Sequence, residues 1–161
     1  MSLPEPGAGR LDAALLEERR AWRSAGHRVV FTNGCFDLLH TGHVALLEEA
    51  RRLGDVLVVG INGDASVRDL KGPGRPLVPE DERRELLLAL EPVDRVVLFD
   101  EPTPAELIRA LVPDVLVKGA DWGEQEIVGR DVVEGHGGRV VRIALVPGRS
   151  TTGLLERIRR S

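Results

Sequence analysis

Blocks of apolar and polar residues alternate along this chain in a way that predicts strands and helices in turn. Short apolar runs rich in β-branched residues predict five buried strands, at residues 28–32, 55–61, 95–99, 114–117 and 139–144. Apolar residues at helical spacing predict helices at residues 11–24, 44–53, 79–90, 103–111, 127–135 and 151–160. Because strands and helices alternate, we expect right-handed crossovers and an α/β fold, a single-domain Rossmann-like, doubly wound sheet of about five mainly parallel strands.

Capping and turn residues divide the chain further. Thr103 is predicted to be the N-cap of a helix that has Pro104 at its first position. The first ten residues are rich in Pro and Gly and are predicted to be disordered. We therefore expect a disordered segment at 1–10, an N-terminal helix at 11–26 and one folded domain at 27–161.

Length and charge narrow the class of protein. The 161 residues suffice for one domain with a core, and the formal net charge of −4 lacks the basic footprint of a nucleic-acid-binding protein. A single cysteine excludes an internal disulfide and fits a reducing compartment. No apolar run approaches the ~20 residues of a membrane span, and the first residues lack the features of a signal peptide. We expect a cytoplasmic protein that binds neither nucleic acid nor membrane.

Polar segments containing glycine follow four of the five predicted strands. They are residues 33–36, 62–64, 118–121 and, after the last strand, 148–152. In open parallel sheets, ligands bind at the carboxyl ends of the strands, near the point where the strand order reverses. The sequence therefore predicts a binding site along this one edge of the sheet.

Two histidines give the strongest chemical signal. His40 and His43 lie where the first strand passes into a helix, and the free N–H groups of a helix start attract anions. Gly42 between them allows a phosphate to approach the backbone closely. The alternative is that the histidines only cap the helix or lie at the surface. The hydroxyls of residues 150–152 open a second helix, where capping and phosphate binding are compatible roles.

A family resemblance rests on these residues and on several other segments. The stretch from Asn33 to His43 resembles the HxGH signature of the nucleotidyltransferase (cytidylyltransferase-like) superfamily. Further segments that match in order and spacing are residues 60–64, 70–72 with 75–76, 117–122 and 148–152. Over residues 28–160 the chain most resembles the adenylyltransferase domain of bifunctional heptose kinase/heptose-1-phosphate adenylyltransferases. Glycerol-3-phosphate cytidylyltransferases are more distant relatives.

This resemblance implies an activity. It is the transfer of the adenylyl group of ATP to a sugar 1-phosphate, expected to be D-glycero-β-D-manno-heptose 1-phosphate, which gives ADP-heptose and pyrophosphate. Glycerol-phosphate cytidylyltransferases carry an arginine-containing segment before their Ser-Thr-Thr, whereas here Arg149 directly precedes Ser150. That difference favours the heptose type. Two alternatives stay open: a cytidylyltransferase acting on glycerol 3-phosphate or a related alditol phosphate, and a non-catalytic nucleotide-binding module.

The resemblance also implies roles for individual residues. The predicted catalytic residues are His40, His43 and Lys71. The predicted nucleotide-binding residues are Asn33, Gly34, Cys35, Phe36, Gly42, Gly119, Asp121, Arg149, Ser150, Thr151 and Thr152. The predicted substrate-binding residues are Asp37, Asp64, Arg75 and Trp122.

Structural roles compete with some of these assignments. Cys35 is expected to be a small packing residue that is not a nucleophile, and Asp37 could simply shape the turn by local hydrogen bonds. Lys71 and Arg75 could belong to a solvated loop around a Gly-Pro-Gly segment, which would otherwise lie over the site. Arg83 is expected to form charge pairs with the acidic residues of its own helix.

Cofactor and partners follow from the implied reaction. We expect Mg²⁺ to be bound mainly by the nucleotide phosphates, and the sequence predicts no metal site made of protein ligands. The expected partners are ATP and a sugar 1-phosphate, with a separate sugar kinase acting upstream. The oligomeric state is left open, and a homodimer is one of the options.

Overall fold

Five strands form the centre of the protein, which a computed structural model describes over residues 10, 13–120, 123 and 127–161. The strands are β1 (Val29–Gly34), β2 (Val56–Asn62), β3 (Arg95–Phe99), β4 (Val115–Gly119) and β5 (Arg139–Ile143). They form one sheet in the order β3-β2-β1-β4-β5, and all four pairings are parallel. The chain runs outward from β1 to β3 and then crosses to the other side of β1, so the strand order reverses between β1 and β4.

Seven helices are found among the described residues. They are α1 (Ala13–Ser24), α2 (Thr41–Arg51), α3 (Asp64–Lys71), α4 (Glu80–Leu88), α5 (Ala105–Leu111), α6 (Arg130–Gly135) and α7 (Thr151–Arg160). Residues alternate across each strand, so the two faces of the sheet form separate apolar layers. Helices α1, α5 and α6 contribute to the layer that contains Phe31, whereas α2 and α4 contribute to the layer that contains Val30.

Helix α1 is packed into the first of these layers. Its Leu15 is fully buried. Its Arg19 is also buried and donates to the carbonyl oxygens of Leu111 (2.9 Å) and Val112 (2.8 Å) at the end of α5. Val112 has the left-handed φ of 44° that ends this helix, so Arg19 satisfies carbonyls that α5 leaves unpaired. The described helix therefore shares the core of the sheet domain.

The predicted fold class is confirmed, and the sheet is parallel throughout. All five predicted strands are present, with ends that differ from the predicted ones by at most two residues. Helix α3 was not predicted, because its eight residues bury only Ser66 and Val67 and are too few to show a helical apolar repeat on their own. The prediction of Thr103 as N-cap was wrong by one position: Pro104 is the cap residue, and Thr103 Oγ1 accepts the N–H of Ala105 at 3.4 Å.

Two other helices begin at positions that differ from the predicted ones. Helix α2 begins at Thr41, three residues before its predicted start, because His40 provides its cap. Helix α6 begins at Arg130, three residues after its predicted start. The predicted disorder at 1–10 lies outside the described residues except at Arg10. None of the helices described here has the length and apolar character needed to cross a membrane.

Candidate active site

A cleft of about 480 Å³ opens at the carboxyl ends of the strands, beside the reversal of strand order. Such a position is where open α/β sheets bind ligands. Nine predicted site residues line it: Asn33, Gly34, Cys35, Phe36, Asp37, His43, Lys71, Arg75 and Thr151. Among the lining residues that were not assigned a role are Asn62, Phe99, Thr103 and Lys118.

The remaining predicted residues lie around this cleft or outside the described part of the chain. His40 and Gly42 lie at the start of α2, and Arg149, Ser150 and Thr152 lie at the start of α7. Asp64 and Gly119 lie at the carboxyl ends of β2 and β4 without lining the cleft. Asp121 and Trp122 lie outside the described residues.

The two histidines cap helix α2 together. His40 is the N-cap, and its Nδ1 accepts the N–H of Gly42 at 3.0 Å, while Nδ1 of His43 accepts the N–H of His40 at 3.2 Å. This is a capping box in which imidazoles replace the usual hydroxyl and carboxylate. An Nδ1 that accepts a hydrogen bond carries no proton, so in each neutral ring the proton is on Nε2. The capping alternative therefore holds, and it leaves each Nε2–H as a donor.

The charge state of the histidines follows from their surroundings. The rings stack with their centroids 3.9 Å apart and an interplanar angle of 29°. Burial and the neighbouring His40 lower the pKa of His43 to about 4, while burial and Arg149 lower the pKa of His40. Both rings are therefore neutral near pH 7. They act on an anion as hydrogen-bond donors and not as positive charges.

Gly42 brings the starts of two helices together. A Cβ at this position would come within 2.8 Å of the His40 ring and 3.1 Å of Arg149 Cβ, so only glycine lets the two segments approach this closely. Thr151 Oγ1 donates to Leu38 O at 3.1 Å, and Ser150 caps α7 by accepting the N–H of Gly153 at 2.9 Å. The positive ends of α2 and α7 thus lie side by side, an arrangement suited to an anion with several charges.

Asp37 fastens the loop that carries Arg75. Its buried carboxylate accepts from Arg75 Nε (2.7 Å) and from the backbone N–H groups of Leu77 and Val78 (2.9 Å each). Burial by itself raises the pKa of Asp37, but these hydrogen bonds outweigh it and hold the pKa below its usual value. The structure thus gives Asp37 the role of holding a loop in place. Its hydrogen-bond partners lie much further along the chain than those of a local turn. Its contact with substrate stays a prediction.

Arg83 has a structural role at the site that its sequence context does not indicate. Its side chain is fully buried and donates to the carbonyl oxygens of Cys35 (2.7 Å), Asn62 (2.8 Å) and Val78 (2.9 Å), with an ion pair to Asp64 Oδ1 at 2.9 Å. It was expected to pair within its own exposed helix. Instead it joins the ends of β1 and β2, both of which line the cleft. An arginine in a charged helix carries no local signal of such burial.

The predicted phosphate ligand Lys71 is also part of the cleft. This lysine is the last residue of α3 and lines the cleft. The two glycines of the Gly-Pro-Gly segment that follows have φ values of 95° and 84°, which other residues rarely adopt, so the chain can reverse directly after the lysine. The cleft is therefore lined by Lys71 and Arg75 as well as by His43 and Thr151 from the two helix starts.

The cleft's thiol and amide groups have specific environments. Burial raises the pKa of the Cys35 thiol, whose Sγ lies 3.8 Å from Asn62 Oδ1, so the neutral thiol prevails near pH 7. Asn33 Oδ1 is buried and has no hydrogen-bond partner among the residues described. Those residues also contain no group of three or more His, Cys, Asp or Glu side chains placed to hold a metal ion.

Comparisons with known proteins agree with this architecture. The curated Bifunctional protein HldE of Syntrophotalea carbinolica is 58% identical over 149 residues, which cover 92% of this chain and 30% of that protein. HldE of Trichlorobacter lovleyi is 59% identical over 138 residues, which cover 86% of this chain and 28% of that protein. The chain thus spans about three-tenths of the length of these curated relatives.

A solved structure and a family model match as well. The crystal structure of the lipopolysaccharide core biosynthesis protein from Thermoplasma volcanium is similar with a TM-score of 0.62 and 30% identity, covering 75% of this chain and 98% of that one. The family model described as Cytidylyltransferase-like matches residues 31–142, from the middle of β1 to near the end of β5. This chain therefore belongs to the cytidylyltransferase-like family.

Proposed function

We propose that this protein transfers the adenylyl group of ATP to D-glycero-β-D-manno-heptose 1-phosphate, releasing pyrophosphate and ADP-heptose. The observation that carries the proposal is the HxGH capping box, which places two neutral imidazole donors at the start of α2, with His43 lining the cleft and His40 beside it, next to the start of α7. The high identity to HldE proteins supports the heptose type. The likeness to a lipopolysaccharide core biosynthesis protein supports a sugar-containing product.

The reaction needs no protein nucleophile. A phosphate monoester has its second pKa near ~6, so the sugar 1-phosphate is largely a dianion at pH 7. One of its oxygens attacks the α-phosphorus of ATP, the bond from that phosphorus to the β-phosphate bridging oxygen breaks, and pyrophosphate leaves with the electron pair. This agrees with a neutral thiol at Cys35. Catalysis can then rest on positioning and on stabilising phosphoryl oxygens.

The chain offers suitable groups for that stabilisation. The Nε2–H of His40 and of His43 can donate to phosphoryl oxygens that gain charge as the bond to pyrophosphate breaks. The free N–H groups at the starts of α2 and α7 face the same negative charge. Lys71, which lines the same cleft, would contribute a full positive charge. None of these groups needs to lose or gain a proton during the transfer.

Mg²⁺ is expected to enter with ATP. Asp37 is the one carboxylate among the described residues that line the cleft, and it already accepts three N–H groups. This donor set fits a cation coordinated mainly by phosphate oxygens and water, as Mg²⁺ commonly is at nucleotides. When bound, Mg²⁺ would neutralise charge on the phosphates, while the chain's own residues orient them.

Pyrophosphate release with a matrix of substrates tests the proposal. ATP and CTP are each combined with heptose 1-phosphate, other sugar 1-phosphates and glycerol 3-phosphate, with and without EDTA. A buried polar group left unpaired by the wrong base or acceptor costs ~1–3 kcal/mol, so we expect ATP with the heptose phosphate to be preferred roughly 5- to 150-fold. A higher kcat/KM for CTP with glycerol 3-phosphate would favour the cytidylyltransferase alternative. Nucleotide binding without turnover would favour a non-catalytic module.

The substrate also places the reaction in a sequence. A sugar 1-phosphate is the product of phosphoryl transfer to an anomeric hydroxyl, so a sugar kinase is the activity we propose for the preceding step, in line with the bifunctional HldE relatives. Transfer of the sugar from its nucleotide to an acceptor is the corresponding later step. We propose both as reaction classes; a homodimer also stays a proposal, to be tested by light scattering.

A further inference from the structure

Arg10 holds two parts of the cleft wall from outside. Its guanidinium forms a two-pronged pair with Asp100, with Nε to Oδ2 at 2.9 Å and Nη2 to Oδ1 at 3.0 Å, and its Nη1 lies 2.6 Å from Glu80 Oε1. Isolated surface ion pairs contribute little to stability, but bidentate geometry and membership of a network are the recognised exceptions. Arg10 meets both conditions, and the side chains of Arg10 and Glu80 are 30% and 24% exposed.

The first connection runs through Glu80 to α3. The other carboxylate oxygen of Glu80 accepts the N–H of Asp64, the first residue of α3, at 2.7 Å. Asp64 in turn pairs with the buried Arg83, which binds the ends of β1 and β2. A continuous chain of ion pairs and hydrogen bonds therefore joins Arg10 to the strand ends that line the cleft. Lys71 lies at the far end of the same helix.

The second connection runs through Asp100 to the loop after β3. Asp100 directly follows β3, and Pro102, Thr103 and Pro104 of this loop line the cleft. Arg10 thus binds the loop at its first residue, Asp100. The β2–α3 turn is also tied to β3 directly, since Gly63 N–H donates to Phe99 O at 2.9 Å.

Gly63 shows how closely the two carboxylates approach each other. A Cβ added to Gly63 would clash with Asp100 Oδ1 and would lie 2.9 Å from Glu80 Oε2. The two carboxylates therefore border the same point, and like charges so placed repel unless a cation lies between them. Arg10 is that cation, because it pairs with both. Burial by itself raises the pKa of Glu80, but the hydrogen bonds from Arg10 and Asp64 N–H outweigh it and keep the pKa below its usual value.

Helix α3 depends on this support because it has little of its own. Only Ser66 and Val67 are buried among its eight residues. From this juxtaposition we infer that Arg10 is a positioning residue, which holds α3 and the loop after β3 in the arrangement that places Lys71 against the phosphorylated substrates. Arg10, the one residue described before α1, is thereby coupled to the cleft. The kinetic test of this inference rests on the proposed function. A second test, by hydrogen–deuterium exchange, needs no activity.

The kinetic test compares Arg10→Ala with wild type. If α3 leaves its position for part of the time, only a fraction of the molecules binds substrate well, and the apparent dissociation constant rises by the inverse of that fraction. We expect KM for the phosphorylated substrates to rise roughly fivefold, equivalent to about 1 kcal/mol, with kcat within about twofold. Arg10→Lys, which keeps the charge but not the fork, should recover only part of the loss, because one ammonium group cannot reproduce the two-pronged pair with Asp100 and also reach Glu80. Arg52→Ala removes an exposed pair with Glu49 away from the cleft and should change neither constant.

Hydrogen–deuterium exchange of the same variants gives a measurement that needs no activity. Residues 64–71 should exchange faster in Arg10→Ala than in wild type or Arg52→Ala, and saturating ATP should reduce the difference. An unchanged KM with unchanged exchange would overturn the inference, as would a loss confined to kcat. If the wild type shows no turnover, the proposed function fails. Faster exchange of residues 64–71 in Arg10→Ala would still support the positioning role of Arg10.

Discussion

On the α2 side of the cleft, hydrogen bonds between residues two or three positions apart orient the histidines. On the α3 side, the wall that carries Lys71 and Arg75 is held by contacts between residues 16 to 90 positions apart. Helix α2 also buries Leu47 and Ala50 in the core, whereas α3 buries little. One wall is therefore fixed by its own sequence, and the other by ion pairs that the fold brings together.

This difference predicts two kinds of mutational behaviour. Substitutions on the α2 side should affect both catalysis and the local helix cap. The two effects can be separated by replacing a histidine with a residue that retains the capping acceptor and lacks the imidazole donor. Changes on the α3 side should act at a distance, since each ion pair there supports several backbone segments.

The largest effect is expected from the histidines. His40→Ala and His43→Ala should each lower kcat by roughly 10²–10³, the range seen when a donor to the transition state is removed. Each also loses a capping hydrogen bond, which costs about 1 kcal/mol of stability. His40→Asn and His43→Gln retain cap acceptors and lose the imidazole donor. They should fold like wild type by urea denaturation while showing the same kinetic loss; near-normal kcat in either would contradict the assignment.

Arg83 should dominate the stability of the α3 side. Arg83→Met removes four hydrogen bonds and leaves Asp64 and three carbonyl oxygens without their partner, so the free energy of unfolding should fall by about 3 kcal/mol. Arg83→Lys should recover only part, because one ammonium group cannot reach all four acceptors. The exposed neighbour Arg84 is the matched control, and Arg84→Met should stay within about 0.5 kcal/mol by urea denaturation. Equal effects at both positions would show that the network is not needed.

Lys71 separates substrate binding from folding on the same side. Lys71→Ala removes a charged donor, and a hydrogen bond to a charged group contributes ~1.5–3 kcal/mol, so kcat/KM should fall by roughly 10- to 150-fold. The melting temperature should change little, because the side chain lines the cleft. Steady-state kinetics and thermal denaturation measure the two quantities. Unchanged kinetics with reduced stability would make Lys71 a structural residue.

The pH dependence of stability tests the buried histidine pair. Because the pKa of His43 is about 4 in the folded protein and 6.5 as a model value, the unfolded chain binds a proton first as the pH falls. The free energy of unfolding should therefore decrease between pH 6.5 and 4, on the order of 2 kcal/mol once solvent screening is allowed for. His40, whose pKa is also lowered, adds in the same direction.

His43→Gln isolates that contribution. It keeps a cap acceptor without a titrating ring, so stability should vary less over this window than in wild type. The pKa values of Asp37 and Glu80 are lowered, so the stability that these carboxylates contribute is lost at lower pH than the usual carboxylate range. That loss lies largely outside the window between pH 6.5 and 4. Parallel slopes in wild type and variant, measured by denaturation at several pH values, would exclude His43 as the source.

The smallest effect is expected at Cys35. The thiol is neutral near pH 7 and the proposed reaction uses no covalent intermediate, so Cys35→Ser should keep activity within about threefold of wild type. Mass spectrometry of the wild type under turnover should find no nucleotidyl adduct on this residue. A trapped adduct would require a different mechanism.

Much of the candidate site could be anticipated where the signal was local. The HxGH segment, the helix starts and the glycine-containing strand ends were recognisable because a strand, a turn and a capped helix impose residue types at short spacing. Arg83, Arg10 and helix α3 were not. Arg83 lies in a helix rich in exposed charge, and Arg10 in a segment rich in Pro and Gly. Neither pattern contains information about partners dozens of residues away.

Local sequence patterns were enough to predict the five strands, the alternating helices other than α3, the edge of the sheet with the candidate site, and the histidine motif, because periodicity, capping and turn chemistry act between near neighbours. Tertiary structure decided that the capped histidines are buried enough to stay neutral near pH 7, that Asp37 fastens the Arg75 loop, and that Arg83 and Arg10 support α3. Those outcomes depend on desolvation and on charges brought together by folding, and both are set only when distant segments pack.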